Sequence, residues 1–214
     1  MGSFKNREGR PILERMARTI QENRDYLSEI DGLIGDGDHG ANMSKGFGLF
    51  QEAMADRDLS FTGGLGELGQ LLLDRIGGSM GPIYGTLFIA MSEAGEGLED
   101  IDLVALAALF AAGLAALGDI IEAQAGDKTL MDTLIPANDV LQRAAAQGSS
   151  LEEALPAMTA AAQAGRDSTR DLVSKVGRSS RLGERSRGVL DAGAVSSCLL
   201  LCAISEGILE ILGS

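Results

Sequence analysis

Helical periodicity runs through almost the whole chain, and it restricts the fold to packed helices. Over residues 10–30, Ile12, Leu13, Met16, Ile20, Tyr26, Leu27 and Ile30 recur mostly three or four positions apart, drawing one apolar stripe. The same spacing returns over 42–55, 65–76, 82–94, 102–123, 128–147 and 150–164, and from Val189 or Asp191 to Leu212, which makes eight helices. No segment alternates apolar and polar residues as a half-buried strand would. Aromatics are scarce, with no Trp, 2 Tyr and 6 Phe, while Ala and Leu, the strong helix formers, abound. The fold class is therefore all-α.

Local signals mark where these helices begin. Pro82 suits a first helical turn, Asp102 an N-cap, and Ser150 with Glu153 a capping box. Pro136 bends or offsets the helix that contains it. Most connections are short, which favours antiparallel neighbours in a bundle. Three loops are instead long and rich in glycine and polar residues, at 31–40, 77–82 and 177–193, with Gly126 and Asp127 forming a smaller fourth. In a bundle such loops can gather at one end. No linker or repeat divides the chain, so residues 1–214 read as one domain.

The formal net charge of −13 repels nucleic-acid backbones and anionic lipid surfaces, so no nucleic-acid or membrane partner is expected. The apolar stretch at 103–121 contains Gly113, Gly118 and Asp119 and reads as a buried core helix. Cys198 and Cys202 lie one helical turn apart among apolar residues without a nearby histidine, as small core residues would. Two thiols and no secretory signal point to a cytoplasmic protein.

The densest chemistry lies in the segment from Asp31 to Gly40. Asp31, Asp36 and Asp38 fall within eight residues, separated by glycines that let the backbone fold tightly. Ionised carboxylates so close repel one another unless a cation lies between them, and hard oxygen ligands suit Mg²⁺ or Ca²⁺. An EF-hand fails on spacing. Counted from Asp36, Gly40 takes the fifth position and Phe47 the twelfth; counted from Asp31, Leu33 takes the third and Asn42 the twelfth. Charge counting favours a nucleotide: about −3 from the carboxylates and +4 from two Mg²⁺ leave a slightly positive platform for phosphates. A polar, glycine-rich helix connection without ligand is the plainer alternative and stays open on these residues alone. His39, the sole histidine, abuts the acidic residues, which suits ligand positioning better than general-base work.

The remaining loops are individually weaker signals. Gly77-Gly78-Ser79-Met80 leads into a helix, so backbone N–H groups and the Ser79 hydroxyl suit phosphate. Arg178, Arg181, Arg185 and Arg187 crowd into ten residues, as a solvated loop or with one guanidinium facing a phosphate. The chain has no P-loop motif, no protein-kinase motif set and no G-x-S-x-G elbow.

Taken together, I-G-D-G-D-H-G-x-N-M at 34–43, G-G-S-M-G-P-x-x-G-T at 77–86, G-D-K-T-x-x-D at 126–132 and L-G-E-R-S-x-G at 182–188 resemble the nucleotide-binding L subunit of the dihydroxyacetone kinase family. Their order and span cover nearly the whole chain. The resemblance implies an eight-helix antiparallel bundle or barrel with an ADP or ATP site at one end. It implies that Asp31, Asp36 and Asp38 hold two Mg²⁺, and that His39, Gly40, Ala41 and Asn42 contact the nucleotide beside them. Ser79 and Met80 would bind phosphate, Gly126 and Leu130 would border the base, and Arg178 would reach the phosphates as the catalytic residue. Asp191, Ala192 and Gly193 would close the pocket. Two departures stand out: Met80 replaces a usual serine, and Ala192 a usual proline. In this family a histidine of a separate K subunit holds the keto substrate covalently, so a K-like partner is implied, with phosphoryl transfer to dihydroxyacetone or a related keto-sugar. A phosphotransferase-system phosphoryl donor and a homodimer are compatible with the resemblance. The alternative is a non-catalytic nucleotide-sensing or regulatory protein of the same fold.

Overall fold

The computed structural model describes residues 2–213. Its helices are α1 (Arg10–Glu22), α2 (Arg24–Ile34), α3 (His39–Met54), α4 (Phe61–Arg75), α5 (Met80–Ala94), α6 (Leu103–Gly118), α7 (Met131–Gln147), α8 (Leu151–Ser168) and α9 (Ala192–Leu212). These are the eight helices expected, the first of them broken at Asn23. There the side-chain amide donates to the Thr19 carbonyl at 2.8 Å, and φ −99° with ψ 11° interrupts the helical path. Tyr26, expected in the apolar stripe, is 46% exposed; Leu27 and Ile30 keep that stripe's inward face.

Side-chain caps set several starts. Ser60, Asp102, Ser150 and Asp191 each accept the N–H of the residue three positions on, and Ser150 with Glu153 completes the capping box. Several boundaries differ from the sequence reading: α2 runs to Ile34 rather than 30, α3 starts at His39 rather than 42, α4 at Phe61 rather than 65, and α8 runs to Ser168 rather than 164. Helix α6 stops at Gly118 rather than near residue 123. Helix α7 starts at Met131 because Lys128 takes a left-handed φ of 63°, which no helix continues. Pro136 lies inside α7. A two-residue antiparallel ladder, β1 (Phe4–Lys5) with β2 (Asp100–Ile101), ties the start of the chain to the α5–α6 connection.

The helices close into a ring. Neighbours pack in order from α3 to α9, and α1 packs against both α9 and α3. At the α4–α5 contact two backbones approach closely: a Cβ on Gly69 would lie 2.8 Å from the Gly85 carbonyl oxygen. Leucine, methionine and phenylalanine side chains fill the interior, with Tyr84, Phe47, Phe50 and Phe88 among the largest. Helix α9 is long and apolar enough to cross a bilayer, yet most of it is buried within the ring. The up-and-down course brings the first residues of α3, α5, α7 and α9 to one end, where they line a common pocket.

Candidate functional site

That pocket has a volume of about 470 Å³. Asp31 is in the last turn of α2, while Asp36 and Asp38 occupy the tight turn before α3. Gly37 adopts φ 76° there, a left-handed conformation that glycine takes at little cost. The Asp31 carbonyl accepts the Gly35 N–H at 2.6 Å, and its carboxylate accepts the His39 N–H at 3.2 Å. One oxygen of each of the three carboxylates lies within 4.8 Å of the others. This is a hard-oxygen set open to solvent on one side, and it fits a divalent ion that keeps further ligands for water or phosphate. Arg178 pairs with Asp36 from across the pocket.

His39 opens α3 but is buried, and its Nε2 lies 2.8 Å from the Ser196 Oγ. Burial pulls its pKa down to about 4, against the opposing field of Asp31. The ring is therefore neutral near pH 7. Ser196 is in turn 2.7 Å from the Tyr84 hydroxyl, which also reaches Ser197 at 3.0 Å and the Gly193 carbonyl at 3.3 Å. This chain of hydroxyls locks α3, α5 and α9 together behind the pocket wall. Asp191 caps α9 by accepting the Ala194 N–H at 2.8 Å, and burial pushes its carboxyl up to about 6.

Asp31, Asp36, Asp38, His39, Ser79, Met80, Leu130, Arg178, Asp191, Ala192 and Gly193 all line this pocket. Gly40, Ala41, Asn42 and Gly126 do not. Gly40 is where α3 crosses α2, since a Cβ there would lie 2.0 Å from the Arg24 carbonyl oxygen. Ala41 points to solvent, and Asn42 is half-buried within α3. The Gly126 N–H is held by the Asp132 carboxylate at 2.5 Å, outside the lining. Among the clustered arginines only Arg178 borders the pocket; Arg187 instead pairs with Glu184 and donates to the Asp171 carbonyl. Sequence reasoning missed Tyr84, Ile34, Ile83, Thr129 and Ser179 as lining residues. Tyr84 could have been found, because it follows Met80 by one helical turn and so shares its face.

Comparison with known proteins decides the lineage: a DAK2 domain model matches residues 33–206. The chain belongs to the DAK2 domain family. Among its relatives is the PEP-dependent dihydroxyacetone kinase 2, ADP-binding subunit DhaL, of Listeria innocua, 36% identical over 201 residues that cover 92% of each chain. The corresponding ADP-binding subunit DhaL of Escherichia coli is 35% identical, covering 88% of this chain and 90% of that one. The L-erythrulose 1-kinase of Mycolicibacterium smegmatis is 33% identical, but the match spans 34% of its length. Among solved structures, the dihydroxyacetone kinase of C. freundii in its native form superposes with a TM-score of 0.69 at 26% identity, over 91% of this chain and 33% of that one. The DAK2 bundle described above is thus shared with a kinase chain about three times as long.

Proposed function

We propose that this chain is the ADP- and ATP-binding, phosphoryl-transferring subunit of a kinase for dihydroxyacetone or a related keto-sugar. The observation that carries the reading is the meeting of three carboxylates, four helix N-termini and Arg178 around one pocket. Each N-terminus brings about half a positive charge, so four bring roughly two. With Arg178 they about balance Asp31, Asp36 and Asp38, and Asp191 adds a fourth acid, so nothing is left for an added polyphosphate. Two Mg²⁺ held by those aspartates would supply that missing positive charge when bound.

The chain's own residues then bind and orient. Backbone N–H groups at Ser79 and Met80 and at Ala192 and Gly193 face phosphate oxygens, as helix N-termini do. The Ser79 side chain makes no cap bond to its own helix, leaving the hydroxyl for the ligand. Arg178 turns from Asp36 toward the phosphoryl group in flight and stabilises its charge. His39, held neutral by burial and hydrogen-bonded to Ser196, shapes the wall without moving a proton. Leu130, Ile34 and Ile83 give the pocket its apolar side.

No side chain here suits covalent attachment of the keto substrate, because the sole histidine is buried. A separate K-like subunit in the cytoplasm would present it, with transfer across the interface. The names of the relatives matched along nine-tenths of both chains favour a phosphoenolpyruvate-linked donor acting on bound ADP. The test is calorimetry of the purified chain with ADP, with and without Mg²⁺, beside Asp36→Asn. Binding that requires Mg²⁺ and is lost in D36N with helix content intact supports the reading. Equal binding by D36N, or none by wild type, sinks it, and a partner bound without turnover would favour the regulatory alternative.

A further inference from the structure

The segment 126–132 carries one of the motifs on which the family resemblance rests, yet Lys128 within it does not line the pocket. Its surroundings are unusual for a lysine. The residue is 1% exposed, and its Nζ donates to the Thr169 carbonyl and, at 2.5 Å, to the Val189 carbonyl. It is also the one non-glycine residue with positive φ among the described residues. Charged side chains are seldom fully buried, and a left-handed backbone is costly for a side chain with a Cβ. A methionine of similar volume would fill the space without desolvating a cation, so packing does not account for the ammonium. What the ammonium does is join segments that lie outside the α-helices.

Three segments meet on it: the turn before α7, the short turn after α8 at Thr169–Asp171, and the stretch before α9. Neighbouring bonds hold the same junction. Asp132 accepts the N–H groups of Gly126 and Thr129 at 2.5 and 2.7 Å. The Asp191 N–H donates to the Thr169 Oγ1 at 3.1 Å, and the Gly188 N–H to the Arg170 carbonyl at 2.8 Å. Two of these segments end in residues that line the pocket, Thr129 with Leu130 and Asp191 with Gly193. We infer that Lys128 is a positioning residue: its buried ammonium sets the first turns of α7 and α9 relative to each other, and so fixes half of the nucleotide-binding wall. The inference rests on the nucleotide-binding reading for its functional consequence, but the positioning itself can be read without ligand.

The experiment compares wild type, K128M and the milder K128Q with N6A, a control at a junction outside the pocket, where Asn6 donates to Thr62 and to the Leu98 carbonyl. Hydrogen exchange is followed on the ligand-free proteins, and Mg²⁺–ADP affinity is measured by calorimetry. The lysine variants should exchange faster at 126–131 and 188–194 than wild type, with 39–54 unchanged. They should also bind Mg²⁺–ADP about 10-fold to 100-fold more weakly, the range seen when partners behind a site's direct ligands are removed. N6A should lower the thermal midpoint without changing affinity. A folded K128M or K128Q with wild-type affinity, or with exchange raised evenly over the chain, overturns the inference. If K128M does not fold, K128Q decides. If wild type itself binds no Mg²⁺–ADP, the functional reading fails, and the exchange pattern alone still decides the role of Lys128.

Discussion

The hydroxyl of Ser196 has more partners than it has protons. It lies within hydrogen-bond distance of His39, Tyr84 and the Ala192 and Gly193 carbonyls. Only one of these contacts can use its proton, so the others must donate to it or go unmade. Tyr84→Phe removes one member of this buried set while keeping the ring. We expect a loss of about 1–2 kcal/mol in urea denaturation, the usual cost of leaving buried partners unsatisfied. Two groups here titrate in opposite senses. Asp191 is raised to about 6, so the fold holds its proton above the unfolded value, and stability falls as pH rises from about 4 to 6. His39 is lowered to about 4, so the unfolded chain binds that proton first, and stability falls as pH drops from 6.5 to 4. In metal-free protein the two slopes oppose each other between pH 4 and 6. Asp191→Asn should expose the histidine slope as a steep loss of urea midpoint on acidification over that range. A profile as flat as wild type would contradict the assignment. At this scale the sequence displayed the acidic triad, because its members are neighbours along the chain. It hid Tyr84, whose partners Ser196 and Ser197 are more than a hundred positions away.

Helix starts were legible where a short side chain does the capping, as at Ser150 and Asp102. The ends of α6 and α1 were not, because they depend on backbone path and on what the next segment packs against. Glycine within helices shows the same division. Gly69 in α4 looks like a defect by propensity, since alanine would be better by about 1 kcal/mol. Its Cβ would, however, meet the Gly85 carbonyl oxygen and the Ile89 backbone nitrogen at 2.8 and 2.9 Å, and backbone cannot swing aside as a side-chain tip can. Gly69→Ala should therefore destabilise by about 1–3 kcal/mol, the cost of overpacking, despite the propensity gain. A raised urea midpoint would show that α4 and α5 can separate cheaply. The Asn23 break has a comparable local cause, a side-chain amide placed on the carbonyl of the preceding turn.

On the scale of the whole molecule, the ring's alternating course assembles four helix N-termini at one end, where with Arg178 they offset the three clustered carboxylates. A ligand bound only by the folded state at 100 times its dissociation constant adds about 2.7 kcal/mol of stability. For a chain of this size that corresponds to a rise of roughly 5–10 °C in thermal midpoint. Mg²⁺–ADP should produce such a rise, and a chelator should abolish it while ADP remains. A shift that survives chelation would place the binding energy outside the acidic triad.

The sequence by itself determined the helical class, the caps at Asp102 and Ser150 and the acidic triad, because each depends on residues within a few positions of one another. Tertiary structure alone decided which glycines are helix crossings, that Gly40 and Gly126 stand back from the pocket, and that Lys128 joins three turns from below it. Those outcomes depend on distances between segments far apart in the chain, and periodicity along one helix carries no information about its neighbour's backbone.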